Sequence, residues 1–61
     1  MEFPDWQKEV QRVLYEADAS AFFISTVTDR ECESYQLWKE MWQEGTKPKD
    51  AVEIAKKWPE V

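Results

Sequence analysis

The stretch Thr28-Asp29-Arg30-Glu31-Cys32-Glu33-Ser34-Tyr35-Gln36-Leu37-Trp38-Lys39-Glu40-Met41-Trp42-Gln43-Glu44-Gly45-Thr46-Lys47-Pro48 carries signals for both ends of one helix and the start of another. Thr28 and Glu31 have capping-box spacing, in which the hydroxyl accepts from the N3 amide and the carboxylate reaches back to the Thr amide. Behind them Cys32, Tyr35, Leu37, Trp38, Met41 and Trp42 fall on one broad apolar face. Gly45, the only glycine, stands where a left-handed residue past a helix end is wanted. A helix over about 29–44 is predicted.

Working outward, Pro48 suits the first turn of a further helix, with Asp50 near its positive dipole end. Ala51, Val52, Ile54, Ala55 and Trp58 supply an inward stripe, Lys56 and Lys57 sit in the last turn, and Pro59 stops the helix at about 58. The short turn at Gly45 implies that these two helices form a hairpin. Toward the N-terminus, Pro4 and Asp5 open an amphipathic segment whose Trp6, Val10, Val13, Leu14 and Ala17 recur at helical spacing. The segment over 19–26 is ambiguous. Asp18 or Ser20 could cap a short helix, while Ile24, Thr26 and Val27 favour a strand, which would need a partner strand from a second copy of the chain. The reading is an all-α single domain over 1–61, a small bundle of three to four short helices at about 4–17, 19–26, 29–44 and 48–58.

A chain of 61 residues has a thin core, and its apolar burial barely exceeds its ordering entropy. The usual supplements are disulfides, a structural metal or association. Cys32 is the only cysteine and there is no histidine, so no internal disulfide and no ordinary zinc site is expected. Association remains. Trp6, Trp38, Trp42, Trp58, Tyr15, Tyr35, Phe3, Phe22 and Phe23 are a large aromatic load for so small a volume, and such residues are enriched at interfaces. A minimal core could equally absorb them.

The N-terminus, Met1-Glu2-Phe3-Pro4-Asp5, lacks the basic and apolar runs of a secretory signal, and no stretch approaches the roughly 18 apolar residues of a membrane span. With one thiol and no disulfide framework, a cytoplasmic setting away from membranes is expected.

The lack of histidine excludes catalytic triads and imidazole relays. Asp29, Glu31 and Glu33 are close enough in sequence to suggest paired carboxylates, but a glycosidase pair must flank a cleft that so short a chain has no room for. A solvated face near a helix start explains them. Cys32 is flanked by Glu31 and Glu33, which disfavour a thiolate. A single glycine makes no phosphate loop. No enzyme activity and no cofactor are expected.

Charge is the feature that stands out. The chain carries −5, and the first thirty-three residues, with eight acids against three bases, carry all of it. The acids Glu16, Asp18, Asp29, Glu31 and Glu33 bracket Phe22 and Phe23, so an apolar patch with a carboxylate rim is the candidate docking surface. Such a rim steers toward a protein partner with a basic surface, often one that binds nucleic acid. In size and charge the chain resembles phage-encoded inhibitors of host defence nucleases, anti-CRISPR proteins among them; the resemblance is one of type and covers no motif. It implies an inhibitor that presents carboxylates where phosphates would lie. The alternative is a homodimerisation or adaptor module docking through Trp38, Trp42 and Trp58. The last two helices look superficially like a helix-turn-helix with Lys47, Lys49, Lys56 and Lys57 on the second arm, but net −5 lacks the footprint for direct nucleic-acid binding.

Overall fold

In a computed structural model, which describes residues 1–58, the chain forms four helices: α1 (Phe3–Glu16), α2 (Ala21–Ser25), α3 (Glu33–Gln43) and α4 (Pro48–Ala55). No strand occurs among the described residues, so the ambiguous second segment is a helix. Ser20 caps it, its hydroxyl accepting from the Phe23 amide at 3.2 Å. Pro59, expected to stop the last helix, lies outside the described residues.

The two shorter connections, after α1 and after α3, close by the same device. Gly45 adopts φ +84°, its amide bonds the Trp42 carbonyl, and the Thr46 amide bonds the Met41 carbonyl, which together make a Schellman motif. The end of α1 repeats the pattern with Asp18 at φ 63°: its amide reaches the Tyr15 carbonyl, and the Ala19 amide reaches that of Leu14. Asp18 therefore ends α1 instead of starting α2.

The capping box at Thr28 does not form. The amides of Thr28 and Asp29 both bond the Ser25 carbonyl, so the backbone there still follows the turn leaving α2 and lacks the extended conformation of an N-cap. The Thr28 hydroxyl donates back to Ser25, and the Asp29 carboxylate accepts from the Glu31 amide at 3.0 Å. The helix begins four residues past Asp29, after Cys32, which contributes no side-chain cap. At the other end of the chain α4 gives way after Ala55 to tighter turns, with Lys57 and Trp58 bonding the Ile54 and Ala55 carbonyls.

The core gathers Trp6, Val10 and Leu14 from α1, Val27 from the turn after α2, Trp38 and Met41 from α3, and Ala51, Val52 and Ala55 from α4. The tight Gly45 turn joins α3 to α4, yet α4 lays its buried face chiefly on α1 and only weakly on α3. Trp38 stands at the centre, with ring centroids 6.3 Å from Trp6, 6.2 Å from Phe23 and 4.8 Å from Trp58. Its indole N–H donates to the buried Thr26 hydroxyl at 3.3 Å, and that hydroxyl donates to the Phe23 carbonyl at 2.6 Å. Two further indoles bind across the chain, Trp6 to the Thr46 carbonyl at 2.8 Å and Trp42 to that of Met1 at 2.9 Å. Phe3 fills the gap between Trp6, Tyr35 and Trp42. Much of the aromatic load is thus internal.

Three apolar residues expected inside are outside: Leu37, Ile54 and Ala17 are exposed. Leu37 is one residue, about 100° of helix, from the fully buried Trp38, so the inward face of α3 turns away from it. Ile54 is displaced in the same way from Ala55.

Candidate functional site

The anticipated rim of acids around Phe22 and Phe23 divides on the surface. Gln7 and Gln11 define the flank of α1 that meets α2, through side-chain amides donating to the Val27 carbonyl at 2.8 Å and the Ile24 carbonyl at 3.1 Å. Glu16 projects from a different side of α1, where Arg12 holds it at 3.4 Å and Glu9 at 2.8 Å. Hydrogen bonding to Glu9 and the charges of Glu9 and Glu16 raise the Arg12 guanidinium above its ordinary value. Asp18 is exposed at the end of α1. Both Asp29 carboxylate oxygens have local donors, the Glu31 amide and the Cys32 thiol at 3.5 Å. Glu31 and Glu33 are exposed, the latter in the first turn of α3.

The two phenylalanines also part company. Phe23 turns inward and meets Trp38 edge-on, whereas Phe22 is 66% exposed. Adjacent helical residues point about 100° apart, so only one of such a pair can face the core.

Two acids join the site that the sequence reading left out. Counting seven and eleven residues on from Glu33 reaches Glu40 and Glu44, both exposed, and those intervals return close to the same side of a helix. Glu33, Glu40 and Glu44 thus form a carboxylate stripe about 16 Å long, at 1.5 Å rise per residue, with Glu31 just before its start. No ion pair engages any of these four among the described residues. Helical spacing was the signal that could have found them. A charge count along the chain hides it, because Lys39, Lys47 and Lys49 balance these acids in sequence.

A second feature flanks α2. The bonds from Gln7 to Val27 and from Gln11 to Ile24 run antiparallel and brace α2 and the turn after it against α1, while Tyr15, in the last turn of α1, is 77% exposed. Phe22 on α2 is exposed as well, at 66%.

Among the described residues no group of three or more Asp, Glu and Cys side chains is placed to hold a metal ion. A depression of about 400 Å³ between α1 and the start of α4 is lined by Met1, Val13 and Pro48, with Arg12, Lys47 and Lys49 at its edge. One of about 290 Å³ lies between Leu14, Ala19, Phe23, Ala55 and Trp58. Ser20 and Lys56 also line the second, where the Ser20 hydroxyl caps α2 and the Lys56 ammonium pairs with Glu53 at 3.2 Å, and no hydrogen bond joins the two. Partial burial, the bond to Asp29 and the charges of Asp29 and Glu31 push the Cys32 thiol above its ordinary value, which makes it a poor nucleophile at neutral pH. Of the three tryptophans considered for docking, Trp38 is fully buried, and Trp42 and Trp58 are half-buried.

No protein-family model, no curated protein and no solved structure matches this chain. Among the described residues no helix is long and apolar enough to cross a membrane.

Proposed function

We propose that this protein is a non-enzymatic binding module of the cytoplasm whose partner is a protein with a basic, nucleic-acid-binding surface, and that it inhibits by presenting carboxylates where phosphates would lie. The observation that carries this reading is the stripe of Glu33, Glu40 and Glu44, exposed and without ion pairs, on a helix fixed to the core through Trp38 and Met41. A rigid helix holds its charges at set intervals, which favours recognition over mere solubility.

Exposed charge pairs contribute about 0.2–1 kcal/mol each, so the four acids from Glu31 to Glu44 give only a few kcal/mol and act mainly on association rate and partner choice. The complex should therefore form fast and weaken steeply with salt. The homodimer alternative has less support, because Trp38 is internal and two copies would bring net negative charge together.

The test is a tagged pull-down from a bacterial lysate with a salt-gradient elution, run in parallel with the quadruple reversal of Glu31, Glu33, Glu40 and Glu44 to Lys. A nucleic-acid-binding protein held by the parent chain, released by salt and lost by the reversed chain is the expected result, with circular dichroism unchanged. Equal retention by the reversed chain would refute the proposal.

A further inference from the structure

Resting on that reading, we infer that the exposed side of α3 is a docking face for a helix, one that carries lysines or arginines opposite Glu33, Glu40 and Glu44 and an apolar side chain opposite Leu37. From Glu33 to Glu44 the exposed residues are Glu33, Gln36, Leu37, Glu40, Gln43 and Glu44. Acids and amides make up this side, and no base stands on it. Leu37, 42% exposed, is its single apolar member. Lys39, the only base of α3, is one residue from Glu40 and so points about 100° away from it.

Leu37 belongs to the acidic stripe by position. At 100° and 1.5 Å per residue, Glu33, Leu37, Glu40 and Glu44 fall within about 60° of one another, with Leu37 about 6 Å along the axis from Glu33 and about 4.5 Å from Glu40. One helix carries all four, counting Glu44 at its right-handed C-cap, so their relation does not depend on how the elements pack together. Their intervals of four, three and four residues are those of the contact line between two packed helices. The opposite side of α3 already makes one such contact, burying Trp38 and Met41 in the core. No element of the described chain covers the second line, whose four residues are all exposed.

Charge selects the occupant. None of the three acids is in an ion pair among the described residues. The same face of a second copy would set three acids against three acids with no base on either side. A basic helix instead brings cations to the acids, and its apolar side chain covers Leu37 and keeps water from the pairs, which strengthens them. Helices dock on their partners through anchors at this spacing, with an apolar centre inside a polar rim. Leu37 thus supplies affinity, and the acids supply association rate and partner choice.

The experiment titrates the labelled chain at low salt, by fluorescence anisotropy, with three synthetic helical peptides of equal positive charge. The first repeats the four-three-four spacing with lysines at the outer positions and leucines at the two inner ones, so that a leucine meets Leu37 in either direction. The second has serine for both leucines, and the third has the composition of the first with the spacing broken. The parent chain should bind the first about tenfold more tightly than either of the others, a difference of 1.4 kcal/mol. Leu37→Gln, which keeps helix propensity at an exposed position, should lose that preference and keep its affinity for the serine peptide. Its melting temperature is checked alongside, and the parent chain's own ranking of the peptides does not depend on how the variant folds. A preference that survives in Leu37→Gln, or equal binding of the first and second peptides by the parent chain, overturns the role of Leu37 but leaves the acidic reading standing. Equal binding of the first and third overturns the helical occupant. Failure of every peptide to bind overturns the acidic reading itself. Sedimentation showing a dimer that Leu37→Gln abolishes would assign the face to a second copy and overturn the inference.

Discussion

Replacing Thr26 by valine would test whether the centre of this small core depends on polar satisfaction or only on filled volume. Thr26 is 4% exposed, and its hydroxyl both donates to the Phe23 carbonyl at 2.6 Å and accepts from the Trp38 indole at 3.3 Å. Valine keeps the shape and removes both bonds. Losing the donated bond costs about 0.5–1.5 kcal/mol, and leaving the buried indole N–H without a partner costs about 1–3 kcal/mol more, so Thr26→Val should destabilise by roughly 2–4 kcal/mol. Serine keeps both bonds and gives up one methyl, for about 0.8 kcal/mol. A domain of this size stands only about 3–9 kcal/mol above its unfolded state, at 0.05–0.15 kcal/mol per residue, so the valine variant lies near the edge of folding. Urea unfolding followed by tryptophan fluorescence, at constant m-value, reads both variants. The order expected is parent, then serine, then valine. A valine variant as stable as the serine one would refute the reasoning and mean that the indole finds water or another acceptor.

Asp18 and Gly45 occupy the same left-handed position at the ends of two helices and should respond to substitution with opposite signs. A Cβ on Gly45 would meet no atom within 4 Å, so Gly45→Ala should cost only the backbone penalty of about 1–2 kcal/mol, while Asp18→Gly should relieve strain and raise the melting temperature by a few degrees, at about 4–8 °C per kcal/mol. A fall in melting temperature for Asp18→Gly would show that its carboxylate has a stabilising role of its own. Cys32 should alkylate slowly at pH 8: because its thiol is raised, less thiolate is present there than in a free cysteine, and the rate should climb at higher pH than for a free thiol. Asp29→Asn should move that profile to lower pH, as measured by iodoacetamide labelling; an unmoved profile would mean that burial alone holds the thiol.

The helices themselves were legible because their apolar residues recur at helical spacing and proline and glycine mark several of their ends. What escaped the sequence was decided by competition among neighbouring groups. Thr28 has the residue type and spacing of a cap, but the Ser25 carbonyl captures the Thr28 and Asp29 amides first, and no pattern in Thr28-Asp29-Arg30-Glu31 reveals that. Asp18 was open to two roles, cap of the next helix or end of the last, and only the backbone angle separates them. The site was partly legible in a different way. Its acidity and Phe22 were visible, but grouping acids by position in the chain joined Glu16 to Glu33, which stand on separate helices, and missed Glu40 and Glu44, which share a helix side with Glu33. Phe23 belonged to the core for a reason available beforehand, since Phe22 and Phe23 cannot both face the same way on a helix.

The pairing of α1 with α4 has a consequence for how the chain is made. The Trp6 indole binds the Thr46 carbonyl across 40 positions, and the Val10–Leu14 side of α1 finds its lid in Ala51, Val52 and Ala55. During synthesis α1 leaves the ribosome first and meets α2 and α3 before α4, and its Val10–Leu14 side is covered by α4 only once residue 55 has followed it out. A chain interrupted before α4 would leave that side of α1 open to chaperones and proteases, because the element that covers it is the last helix of the described chain to be made.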